Sequence, residues 1–242
     1  MPKITKLFID DGGVMNDNAL RRPEWFRLVP EFFVPRLGGD PTTWSEANRV
    51  VIERLFPFLD MGPQGQDYAS YWDDYHRRWL REMAAFAHVD VPVDDAHCLR
   101  LAEQADAYIT RRVRSAYPGA VEAIRDCRKM GFDLFTSSGG HSRQLDGYLT
   151  GMDVRDCFVA LYGPDLVNQW KGSAEYYRRI FAHAGVDAKH ALVVDDSPRA
   201  LAWARSAGAA TCLVTTTPYP DDTADFVVPR LADLLPALNA FN

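Results

Sequence analysis

Leu7-Phe8-Ile9-Asp10-Asp11-Gly12-Gly13-Val14-Met15 carries the decisive pattern, an apolar run that stops on two carboxylates and a pair of glycines. The run begins at Ile4, is too short for a helix, and reads as a strand feeding a tight turn. The same pattern recurs twice downstream. Phe132–Phe135 runs into Thr136-Ser137-Ser138-Gly139-Gly140, and Ala191–Val194 into Asp195-Asp196-Ser197-Pro198. Helical spacing over Ala120–Lys129, Ser142–Leu149 and Ala174–Ala184 alternates with strand-like runs at Phe158–Leu161, Thr211–Val214 and Phe226–Val228. One more helix ends at Gly208. Strands alternating with helices of that length predict an α/β fold, a Rossmann-like three-layer core whose parallel sheet is covered on both faces. Ligands of such sheets bind beyond the carboxyl ends of the strands, where the strand order reverses.

Residues 16–115 have a different texture. Tyr68, Tyr71, Trp72, Tyr75, Trp79 and Met83 follow helical spacing. Breakers at Gly38-Gly39, Pro57, Gly62-Pro63 and Pro92 divide the block into roughly four helices. The chain therefore reads as an α/β core of residues 1–15 and 116–242 interrupted by a helical insertion, 16–115. The insertion leaves the core directly after the first strand, the position of a lid over the ligand crevice. Its aromatic series reads first as the insertion's own core. The abundance of large rings also suits an apolar or aromatic group on a ligand.

The 242-residue chain has a formal net charge of −6, with 47% hydrophobic and 25% charged residues, a composition that fills a globular core. No basic block is present, which argues against a nucleic-acid partner. No apolar stretch approaches the length of a membrane span, and Met1-Pro2-Lys3 leads into a strand without a secretory leader. A soluble cytoplasmic protein is expected. Cys98, Cys127, Cys157 and Cys212 are widely spaced and form no C-x-x-C pair, as buried thiols in a reducing compartment would be. The lysines are Lys3, Lys6, Lys129, Lys171 and Lys189, so none lies within the insertion. Nothing in the pattern sets an oligomeric state.

Four polar features fall at or near predicted strand ends: Asp10-Asp11, Thr136-Ser137-Ser138, Lys171 and Asp195-Asp196. Each has an ordinary structural reading. Asp and Gly form turns, Ser197-Pro198 is a good helix start that Asp195-Asp196 would only decorate, and Lys171 can be a solvated lysine. A parallel sheet, however, brings all its carboxyl ends to one edge, so the four features converge. Carboxylates gathered there repel one another unless a cation intervenes. Oxygen ligands without His or Cys point to Mg²⁺ rather than zinc. Hydroxyls, backbone amides and one lysine beside such a metal make a phosphate-sized anion site.

With these motifs in place, the chain resembles the haloacid dehalogenase (HAD) superfamily. Leu7–Met15 is similar to the family's first motif, Thr136 followed by Ser137 to its second, Lys171 in Trp170-Lys171-Gly172 to its third, and Asp195-Asp196-Ser197 to its fourth. The insertion matches the family's helical cap in position and type. The resemblance implies a phosphohydrolase acting on a small phosphorylated molecule. Asp10 would attack phosphorus and form an aspartyl phosphate that water then hydrolyses. Mg²⁺ would be held by Asp10, Asp196 and the backbone carbonyl of Gly12, with Asp195 touching the metal or its water. Thr136, Ser137, Ser138 and Lys171 would bind the phosphate oxygens.

The chain departs from that pattern at Gly12, where the family's phosphatases carry a second Asp that protonates the leaving group. Loss of such a group costs about 10²–10⁴-fold in rate. Asp11 is adjacent, but a neighbour on a strand points to the opposite face. Asp17, His76 and His141 are candidate substitutes, though His76 reads first as a surface or packing residue and His141 as a helix start. Three alternatives stay open: a non-catalytic phosphate-binding or regulatory protein, a dehalogenase, and a C–P-cleaving enzyme. The acidic pair Asp195-Asp196 argues against the metal-free dehalogenases, and the lysine-free insertion against the Schiff-base chemistry of C–P cleavage.

Overall fold

The first apolar run becomes β1 (Lys6–Ile9), and the computed structural model describes residues 3–62, 65, 67–220 and 222–241, with 56–61 as backbone alone. Four helices follow β1: α1 (Asn18–Leu37), α2 (Pro41–Met61), α3 (Tyr68–Phe86) and α4 (Asp95–Thr110). The alternating part then runs α5 (Ala120–Lys129), β2 (Asp133–Ser137), α6 (Ser142–Gly151), β3 (Phe158–Tyr162), α7 (Pro164–Val167) and α8 (Ala174–Ala184). It closes with β4 (Ala191–Asp195), α9 (Pro198–Ser206), β5 (Ala210–Val214), β6 (Phe226–Val228) and α10 (Leu234–Phe241). The chain divides into two compact units, Met1–Asn18 with Ser115–Asn242, and Ala19–Arg114.

In the α/β unit, the six described strands form one parallel sheet in the order β3-β2-β1-β4-β5-β6. The order reverses between β1 and β4, so the switch point lies at the end of β1, next to Asp10. Side chains alternate across the sheet. Leu7, Ile9, Leu134, Leu192 and Val194 join the core beneath α5, α6 and α10. Phe8, Phe135, Val193 and Leu213 join the opposite core, beneath α8 and α9. Phe8 and Phe135 stack with ring centroids 4.7 Å apart on that second face, a rigid floor under the strand ends.

In the helical unit, α3 buries Tyr68, Tyr71, Trp72, Tyr75, Trp79 and Met83 and packs against α2 and α4. The aromatic series is thus the unit's core. Trp79 donates its indole N–H to Asn48 Oδ1 at 2.9 Å, which satisfies a buried polar pair. His76 is buried there too, with Nδ1 3.1 Å from the Trp72 carbonyl oxygen, a packing role rather than a surface one. Among the breakers, Gly38 and Gly39 do separate two helices, with φ of 77° and 88°. Pro57 does not: α2 runs through it to Met61. Pro63 lies outside the described residues. No helix among the described residues is long and apolar enough to cross a membrane.

Candidate active site

The turn after β1 is held by its own polar side chains. The backbone N–H groups of Met15 and Asn16 both donate to the Asp11 carbonyl oxygen at 2.9 Å, and Gly13 N donates to Asn16 O at 2.8 Å. Asn16 is buried and fastens the turn a second time. Its Nδ2 donates to Asp11 Oδ1 at 2.7 Å, and its Oδ1 accepts from Ser115 Oγ at 2.9 Å. The Asp11 carboxylate is therefore a structural acceptor in the turn.

The alternation that buries Phe8 and Val193 under α8 and α9 carries forward to Asp10 and Asp195 on the same face. Lys171, in the loop before α8, lies between them. Its Nζ is 3.0 Å from Asp10 Oδ1 and donates to Asp195 Oδ2 at 2.7 Å. All three side chains are at least 88% buried, so the pairs interact with little solvent screening. The other Asp195 oxygen accepts the Ser197 N–H at 2.9 Å, so each Asp195 oxygen already has a hydrogen-bond donor. Asp196 is exposed. One carboxylate oxygen from each of Asp10, Asp195 and Asp196 lies within 4.8 Å of the others.

The electrostatics follow from this crowding. Burial pushes the Asp10 carboxyl up to about 7, and Lys171 only partly opposes it while Asp195 and Asp11 add to it. Although the residue as a whole is exposed, the Asp196 carboxyl is also raised, by desolvation against the crowded strand ends first and by Asp10 second. Burial disfavours the Lys171 ammonium, but Asp10 and Asp195 outweigh it and hold the group well above the usual lysine range. One ammonium does not neutralise three carboxylates. An oxygen-only donor set with surplus negative charge fits a hard divalent cation such as Mg²⁺. Gly13 makes the cluster possible. Its φ is +89°, and a Cβ there would stand 2.0 Å from Asp196 Oδ2. Only glycine lets this backbone lie against that carboxylate.

The three hydroxyls after β2 are not equivalent. Thr136 shares the face of Leu134 and donates its hydroxyl to the Tyr162 carbonyl oxygen at 3.2 Å. The resemblance assigns it to phosphate, but strand alternation turns it away from the face of Asp10 and commits its proton to β3. Ser137 follows Phe135 on the Asp10 face, one step beyond the Ile9–Thr136 register pair. Its Oγ is fully buried and has no hydrogen-bond partner. Ser138 Oγ accepts from Gly140 N at 3.1 Å. His141 is the N-cap of α6, accepting the Arg143 N–H on Nδ1 at 3.1 Å, so it starts a helix.

Three further residues were not marked by sequence reasoning. Tyr176 holds the loop after β2, its hydroxyl 3.0 Å from the carbonyl oxygens of both Ser138 and Tyr162. Tyr177 is buried among the same charges, which leaves its phenol raised by burial first, with Asp195 and Asp10 adding to it against Lys171. Asn18 places its carboxamide against Gly12, 2.8 to 2.9 Å from where a Cβ would be. Beside the carboxylates, Gly13, Tyr117, Asp196, Thr215, Thr216 and Arg230 line part of a cavity of about 410 Å³ within the same unit.

The model of the haloacid dehalogenase-like hydrolase family matches residues 21–208. A phosphoglycolate phosphatase of Pseudomonas putida is 27% identical over 198 residues, 76% of this chain and 71% of the relative. Among solved structures, a HAD hydrolase of Bacillus subtilis bound to magnesium superposes with a TM-score of 0.64 at 17% identity, over 98% of this chain and 99% of that one. A 2-haloacid dehalogenase of Pseudomonas syringae gives 0.65 at 17% identity, over 98% and 99%. At such identity the two structures speak for the fold.

Proposed function

The chain belongs to the haloacid dehalogenase-like hydrolases, and on that premise we propose that it is a Mg²⁺-dependent phosphohydrolase of small organic phosphates with Asp10 as nucleophile. The observation that carries this reading is the Lys171 ammonium bridging Asp10 and Asp195 beside an exposed Asp196. A dehalogenase without metal has no use for three clustered carboxylates. A phosphoryl group with its charged oxygens does, once a cation is shared among them.

Asp10, Asp196 and the backbone carbonyl of Gly12 would hold Mg²⁺, with Asp195 supporting through Lys171 and Ser197. Bound there, the ion supplies charge neutralisation for the phosphoryl oxygens. Asp10 attacks phosphorus as its ionised carboxylate, the ester P–O bond breaks, and the phosphoryl group is carried on the Asp10 oxygen. Lys171 keeps Asp10 oriented and donates to a phosphoryl oxygen. Ser137, whose buried hydroxyl is uncommitted, donates to another, with Ser138 and its neighbouring amides completing the cradle. Thr136 holds β2 against β3. The helical unit, inserted in the chain between Asn18 and Ser115, is proposed to set substrate preference.

Gly12 provides no acid, so the reading favours leaving groups that depart with little protonation. Phosphoglycolate, the substrate named for the Pseudomonas relative, has an alkyl leaving oxygen and is a demanding substrate for this chain. The test is hydrolysis of p-nitrophenyl phosphate with and without Mg²⁺, alongside Asp10→Asn. Activity that needs both Mg²⁺ and Asp10 upholds the proposal. Activity indifferent to chelation, or retained in Asp10→Asn, overturns it.

A further inference from the structure

Gly12 lacks the side chain that would stand two residues after the nucleophile, yet the space beside it is taken. A Cβ built on Gly12 would lie 2.8 Å from Asn18 Oδ1, 2.9 Å from Nδ2 and 3.3 Å from Cγ. Any side chain at position 12 has to displace that carboxamide. On the next residue, a Cβ at Gly13 would run into Asp196. Consecutive α-carbons are about 3.8 Å apart, so Asn18 and Asp196 flank the same short piece of backbone at the rim of the carboxylate cluster.

The placement is built rather than loose. Asn18 opens α1 two residues after Asn16, which is fastened to Asp11 and Ser115. Asn18 itself is exposed, and its carboxamide makes no hydrogen bond with another described residue. A free amide thus sits at the rim of a charged site, on a turn fixed by three other polar side chains. Carboxamides bring two N–H donors and one acceptor oxygen, and they do not titrate in the physiological range.

Building on the phosphohydrolase reading, we propose that Asn18 is the substrate-contacting residue that hydrogen-bonds the ester oxygen of the leaving group through its carboxamide N–H. As the P–O bond breaks and the bond to Asp10 forms, negative charge grows on that oxygen and the N–H donor stabilises it. The departing oxygen takes its proton from water, because an amide has none to give. Asn18 therefore acts as a fixed donor and not as an acid. This accounts for glycine at position 12: a larger residue would push the donor away.

The test compares wild type, Asn18→Ala, Asn18→Asp and Asp10→Asn on a series of aryl phosphates of rising leaving-group pKa, together with one alkyl phosphate. Asn18→Ala should lose about 10–100-fold in kcat/KM on the alkyl ester, and much less on p-nitrophenyl phosphate, so its leaving-group dependence steepens. Asn18→Asp should restore alkyl ester hydrolysis at acid pH and lose it as the new carboxyl ionises, a limb absent from wild type. Equal losses on every ester, no change in slope, or no new limb would overturn the role of Asn18. The phosphohydrolase reading fails separately, through a wild type inert toward all these esters or an Asp10→Asn variant that still cleaves them.

Discussion

Gly13→Ala is a one-methyl change whose consequence can be worked from the backbone. At a φ of +89° an L residue is strained, at about 1–3 kcal/mol. For a chain of this size a loss of about 2 kcal/mol lowers Tm by roughly 4–8 °C. The added Cβ would also lie 2.0 Å from Asp196 Oδ2 and 2.5 Å from its Cγ. That is far inside contact distance, so the Asp196 carboxylate must swing away from Asp10 and Asp195. Mg²⁺ affinity should then drop on the order of 10–100-fold or more, the range seen when groups that orient a metal ligand are removed. Isothermal titration calorimetry and a thermal melt on the same sample read both effects. Gly12→Ala is the control, because its Cβ meets the Asn18 carboxamide and none of the three clustered carboxylates, so it should keep Mg²⁺ affinity within a few-fold. A Gly13→Ala variant with wild-type Mg²⁺ affinity and unchanged Tm would refute the reasoning.

Protons and metal compete for Asp10, whose carboxyl is raised to about 7. Mg²⁺ affinity should be flat above that pH and weaken by up to about tenfold per unit below it, as calorimetry across pH 5.5–8.5 can check. In the metal-free protein the sign for stability is opposite to that of an ion-paired acid. The folded state holds the Asp10 proton more tightly than the unfolded chain, so this group's contribution falls as pH rises from about 4 to about 7 and then levels off. Lys171→Met strands Asp10 and Asp195 without their shared cation, and should cost about 3–5 kcal/mol by denaturant melts unless Mg²⁺ is present. Gly12→Asp should raise alkyl phosphate hydrolysis by about 10–10³-fold, and more in an Asn18→Ala background than alone, because Asn18 occupies the space needed. An equal gain in both backgrounds would argue that the two residues do not share that space.

The strand ends were readable because chemistry and punctuation coincide there. Each of β1, β2 and β4 is a short apolar run that ends in residues unsuited to a sheet interior, and parallel pairing does the rest. Asp10, Lys171 and Asp195 meet because three separate strand–loop units deliver them to one edge, a result of topology that needs no knowledge of side-chain packing. Helix boundaries at Ala120–Lys129 and Ala174–Ala184 were legible for the same reason, being closed by Gly131 and Gly185 at positive φ. Which of Thr136, Ser137 and Ser138 faces Asp10 depends on the phase of the alternation, and a one-residue ambiguity in where β2 ends reverses the answer. Pro57 failed as a breaker because α2 packs against α3, and tertiary contact of a whole helix overrides local propensity. Asn18 left no sequence signal at all. An asparagine near a helix start reads as a cap, and only the fold of the 11–16 turn shows that its amide is laid over Gly12.

The central claim is that the phosphoryl group passes through Asp10, and the most direct measurement is to trap it. Protein mixed with p-nitrophenyl phosphate and Mg²⁺, quenched in acid within the first turnovers and mapped by peptide mass spectrometry, should carry phosphate on the peptide containing Asp10. Asp10→Asn should carry none. Phosphate found on another residue, or steady hydrolysis with no acid-stable label on that peptide at any quench time, would contradict the account.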